Sequence, residues 1–109
     1  MATFAQFLQA LEVAVKELAG RTLGDVKDAA TKDGIKYLQK CRADLEKWTT
    51  QMANGEMSPK DFEFLLRSET DLGAMIALER AGLTAVKAQR FRDDLVQTIV
   101  HTAARMFLG

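Results

Sequence analysis

The chain has 109 residues, 48% of them hydrophobic, and its 15 basic and 15 acidic side chains leave a formal net charge of zero. That is enough apolar material for one helical domain over 1–109, and the balanced charge gives no reason to expect nucleic acid, an anionic membrane or a highly charged partner. One cysteine excludes an internal disulfide and points to a reducing, cytoplasmic setting. No basic, apolar leader opens the sequence, and no run reaches the roughly 18 apolar residues that a membrane span needs.

A first helix is expected over 4–19, with Thr3 as its N-cap and Gly20 as its stop. Phe4, Leu8, Leu11, Val15 and Leu18 recur at alternating spacings of four and three, which places them on one face. A second helix is expected over 23–53, capped by Thr22 with Asp25 completing a capping box. Val26, Ala30, Gly34, Tyr37, Leu38, Cys41, Leu45, Trp48 and Met52 form one drifting stripe along it. That continuity predicts a single helix about 45 Å long, the longest of the chain. Gly34 lies on the stripe and is read as a close crossing point; the rival reading is a break at Asp33-Gly34.

The run Met57-Ser58-Pro59-Lys60-Asp61-Phe62 carries the clearest local signal. Ser58 is an N-cap, and Pro59 occupies the first helical position, where a missing N–H costs nothing. Asp61 completes a capping box, and Met57 and Phe62 stand at the hydrophobic-staple positions. Asn54-Gly55 supplies the preceding stop. The third helix is expected over 59–80, with Phe62, Leu65, Leu66, Leu72 and Ile76 on its main face and Phe64, Met75 and Leu78 opposite. Gly82 and Thr84 read as a stop and a new cap, the alternative being one kinked helix through Gly82.

The fourth helix is expected over 85–108. Arg90, Asp94, Gln97, His101 and Arg105 make a narrow polar arc. Phe91, Leu95, Ile99, Thr102 and Met106 form one half of a wide apolar arc; Val96, Val100, Ala103 and Phe107 form the other. The arc spans roughly 200°, where a surface helix needs little more than 100°. Such a helix is either central in its own chain or covered by a second one. The second reading leads to a homodimer, with Val96, Val100, Ala103 and Phe107 as interface, joined by Phe64 and Leu78.

Chemistry-bearing patterns are sparse. Glu69 and Glu79 fall on the apolar register of the third helix, which suggests a buried ion pair between Glu69 and Arg92 or, as an alternative, a carboxylate cation site. The Glu-x-x-His element of di-iron bundles is absent, since Thr98 stands three before His101. His101 is expected in solvent, and Cys41 as a buried thiol. No catalytic constellation, phosphate loop, cofactor motif or metal spacing is present in the sequence. Arg80, Lys87, Arg90 and Arg92 form a small basic cluster at the junction of helices 3 and 4, which raises contact with nucleic-acid phosphates as a second functional class. The leading expectation is an all-α antiparallel four-helix bundle, non-enzymatic, that self-associates or binds another helical protein in a structural or adaptor role.

Overall fold

The computed structural model describes residues 3–69, 82 and 84–108. All of the ordered elements among them are helical, and no strand occurs among the described residues. The α-helices are α1 (Phe4–Thr22), α2 (Lys27–Lys40), α3 (Arg42–Ala53), α4 (Pro59–Glu69) and α5 (Ala85–Phe107), with a short 3-10 turn at Gly24–Val26. No helix among the described residues is long and apolar enough to cross a membrane.

The N-terminal caps form where the side chains demand them. Thr3 Oγ1 accepts from the Gln6 N–H at 3.1 Å, and the Thr3 N–H donates back to Gln6 Oε1 at 2.9 Å. Ser58 Oγ accepts from the Asp61 N–H at 3.1 Å, and the Ser58 N–H reaches Asp61 Oδ2 at 3.5 Å. Thr84 Oγ1 accepts from the Lys87 N–H at 3.3 Å and starts α5. Gly82 has φ +84, a left-handed conformation through which no α-helix continues, so α5 begins afresh rather than as the far half of a kinked helix.

Two expected boundaries are wrong. Gly20 does not stop α1, which continues to Thr22. Buried Leu18 and Ala19 hold this turn on the core, and the Leu23 N–H closes it by donating to the Ala19 carbonyl at 2.9 Å. Against that, one interior Gly costs only about 1 kcal/mol. Thr22 therefore does not cap the second helix. Its hydroxyl donates backward to the Leu18 carbonyl at 2.7 Å, and no capping box with Asp25 forms.

The expected single helix over 23–53 is also divided. It opens with the 3-10 turn and breaks at Cys41, whose φ of −93° and ψ of 4° leave the helical region. Helical bonds still cross the break: the Cys41 N–H donates to Tyr37 O at 3.0 Å and the Leu45 N–H to Cys41 O at 2.8 Å. The two segments serve different neighbours. α2 packs on α1, whereas α3 packs on α4 and α5. The helix is interrupted at the buried Cys41, between the part that meets α1 and the part that meets α4 and α5.

Gly34 stands in the middle of an unbroken α2, as the crossing-point reading requires. A Cβ built there would lie 2.6 Å from Val15 Cγ1 of α1. The missing side chain is what lets the two helices approach this closely. Neighbouring Asp33, 2% exposed, is buried beside it.

At its far end, α3 finishes in a Schellman motif. The Gly55 N–H donates to Met52 O at 3.1 Å and the Glu56 N–H to Gln51 O at 2.8 Å, with Gly55 at φ +77. The turn then delivers Phe62 into the core, where its ring meets Trp48 edge-on at 6.1 Å. Met57 is half-buried against the same core. Tyr37 of α2 is buried and donates its hydroxyl to the Leu66 carbonyl of α4 at 3.4 Å.

α5, about 35 Å long at 1.5 Å per residue, spans most of the 42 Å long axis of the molecule. It runs antiparallel to α1: the Phe7 ring, near the start of α1, meets Phe107, near the end of α5, edge-on at 5.4 Å. It also runs antiparallel to α4, because Arg67 pairs with Asp93 and Glu63 with Gln97. This arrangement corrects the expected interface. Val96 and Ala103 are 0% exposed and Val100 is 9% exposed, all within the chain's own core, and Phe107 is half-buried against α1. The wide apolar arc is covered from inside, by α1 and by α3 and α4.

Replacing Gly34 by Ala is expected to destabilise the protein by up to about 2 kcal/mol. The gain in helix propensity is about 1 kcal/mol, and overpacking against a β-branched, χ1-restricted Val15 costs about 1–3 kcal/mol. Denaturant midpoints of Gly34→Ala, Val15→Ala and the double variant test this. The double variant should be more stable than the two single losses would sum to.

Candidate interaction surface

α4 presents three faces. Phe62 and Leu66 are fully buried, and Leu65 is half-buried against the core. At about 100° per residue, Glu63 and Arg67 then fall on the flank toward α5, while Phe64 falls nearly opposite the core. Phe64 is 72% exposed, the most exposed large apolar side chain among the described residues. Lys60, Asp61 and Ser68 surround it, all exposed. Of the residues expected at an interface, Phe64 is exposed, Phe107 is half-buried, and Val96, Val100 and Ala103 are buried; Leu78 lies outside the described residues.

A polar network locks the rotation of α4 relative to α5. Arg67 donates through Nε to Glu63 Oε2 at 3.3 Å and through its guanidinium to Asp93 Oδ1 at 3.0 Å. Gln97 Nε2 donates to Glu63 Oε1 at 2.8 Å. The Gln97 hydrogen bond, helped by Arg67, holds the Glu63 carboxyl below the ordinary glutamate value. These groups are one-third to one-half exposed, so they orient more than they stabilise.

The basic cluster does not assemble as one patch. Lys87 and Arg90 both line an open groove of about 310 Å3 between the end of α1 and the start of α5, with Thr22, Leu23, Phe91 and Asp94. Lys87 also lines a neighbouring space of about 270 Å3, together with Asp25, Val26 and Gly82. Asp94 lines the groove with the two cations and Asp25 lines the neighbouring space with Lys87, which weakens the field that phosphate capture needs. Arg92 is two positions from Arg90, some 200° around the helix, and does not line the groove. Arg80 lies outside the described residues.

The remaining chemical candidates are placed as follows. His101 is exposed on α5, and the Cys41 thiol is buried at the α2–α3 break. The side chain of Glu69 and all of Glu79 lie outside the described residues, and with them the Glu69–Arg92 pair and the carboxylate cation site. No group of three His, Cys, Asp or Glu side chains among the described residues is arranged to hold a metal ion. Asp33 was not singled out from the sequence. Its signal was available: spacings of three from Ala30 and four to Tyr37 place it at the edge of the buried stripe.

No known protein family matches the chain, and no curated protein or solved structure shows significant similarity to it. Among the described residues the geometry defines an all-helical protein with a buried core and one large aromatic side chain turned outward.

The network makes a checkable statement about pH. Glu63 has a depressed value in the folded protein, so its favourable contribution is present above the ordinary 4.5 and is lost as pH falls through the lower folded value. An NMR titration of the Glu63 carboxyl should give a midpoint below 4.5, moving back up in Gln97→Ala. An unshifted midpoint in the unaltered protein would show that the Gln97 bond does not persist in solution.

Proposed function

We propose that this chain is a non-enzymatic helical module with a structural or adaptor role, working in the cytoplasm. It self-associates through the outer face of α4 rather than through α5. In this reading α2 and α3 act together as one bent arm of a four-arm antiparallel bundle. The observation that carries the proposal is Phe64. A large aromatic ring, 72% exposed, sits on a helix whose rotation is held by both a buried face and a polar network.

A second copy is the occupant favoured by charge. With a formal net charge of zero, two copies meet without long-range repulsion. Strength follows from area. One aromatic ring buries roughly 150–250 Å2, well below the total of about 1,200 Å2 typical of stable interfaces. The association is therefore weak and depends on concentration. Nucleic acid is a poorer occupant, because the two cations that line the α1–α5 groove share it with Asp94, and Asp25 lines the space next to it.

Sedimentation across a wide concentration range tests this. The average mass should rise toward that of a dimer at high concentration. Phe64→Ser should suppress the rise while changing stability by less than about 0.5 kcal/mol. Val96→Ala should do the reverse, costing about 2 kcal/mol of stability and leaving association unchanged. A mass that stays monomeric at every concentration would refute self-association, and an unaffected Phe64→Ser variant would refute its location.

A further inference from the structure

Asn54 is the only asparagine in the chain, and glycine follows it. The Asn-Gly dipeptide is the one most open to spontaneous ring closure, because glycine leaves the attacking amide nitrogen unshielded. Gly55 N loses its proton to solvent base and attacks Asn54 Cγ. The new N–Cγ bond forms as the Cγ–Nδ2 bond breaks and ammonia leaves. Water then opens the imide at either carbonyl, giving aspartate or isoaspartate.

Both residues are exposed in the α3–α4 turn, so water and base reach them. The native backbone opposes the first step in two ways. The Gly55 N–H is committed to the Met52 carbonyl at 3.1 Å. Asn54 is held at ψ 0°, and ring closure requires rotation away from this value to bring the nitrogen onto Cγ. The chain has a second dipeptide capable of imide formation, Asp33-Gly34, but it is buried inside α2.

We infer that Asn54 is the site of spontaneous backbone modification in this protein, and that the Schellman turn ending α3 sets its rate by having to open first. The products act back on the fold. Either one puts a carboxylate at the negative end of α3. Isoaspartate also lengthens the backbone inside the cap that steers Phe62 toward Trp48. Modification thus loosens the turn that presents α4.

The test is to incubate the full chain at mildly alkaline pH, native and unfolded in guanidinium chloride, and to follow amide-to-acid conversion by mass spectrometry of the peptide carrying Asn54. The unfolded chain should convert about tenfold faster or more, as expected if two capping hydrogen bonds must open first. Ser58→Ala, which loosens the start of α4 without touching the dipeptide, should speed conversion in the native state. Equal rates in the native and unfolded chains, or an Asn54 that stays intact when unfolded, would overturn the inference.

Discussion

Water cannot be left against half the circumference of α5, and that constraint arranges the other helices. Phe91, Leu95 and Ile99 on one side of its arc, and Val96, Val100 and Ala103 on the other, are all buried. A single neighbour covers only about a third of a helix. The chain therefore lays α1 along α5, and α3 and α4 elsewhere along it. α1 is then contacted by α2 as well. Val15 faces the empty place at Gly34, and that approach lets α1 sit between α2 and α5 without a gap. Shift either contact and the far side of α5 is wetted.

What could be read from the sequence divides along the range of the interaction. The caps at Thr3, Ser58 and Thr84 and the stop at Asn54-Gly55 were legible because each is satisfied within a few residues by its own side chain or glycine. Gly34 was legible because its position on an apolar stripe makes its lack of a side chain useful. Gly20 and Cys41 were not. A glycine stops a helix only when nothing beyond it is held, and here Leu23, packed against the core with its N–H on the Ala19 carbonyl, holds α1 past it. Nothing about Cys41 itself signals a break. The helix is interrupted where the main neighbour changes, from α1 before it to α4 and α5 after it, information held in the partners.

The candidate surface shows the same division. The wide arc of α5 stated how much covering was needed but not which chain would supply it. The covering came from within, since α1 reaches along α5 as far as the Phe7–Phe107 contact. Phe64 was legible from its spacing against Phe62 and Leu66. The basic cluster misled because adjacency in sequence is not adjacency on a helix. Lys87 and Arg90 share a groove three positions apart, whereas Arg92 is carried around α5 and away from it.

The exposure of Phe64 could be a simple packing accident if α4 were able to roll and hide it. It is not free to do so. Phe62 and Phe64 are about 200° apart around the helix. Turning Phe64 inward would therefore turn Phe62 outward, exchanging one phenylalanine for another with no gain in apolar burial. The exchange would forfeit the edge contact of Phe62 with Trp48, break the hydrogen bond from the buried Tyr37 hydroxyl to Leu66, and separate Glu63 and Arg67 from Gln97 and Asp93. With α4 held in this rotation, no movement of the described helices takes the ring out of water.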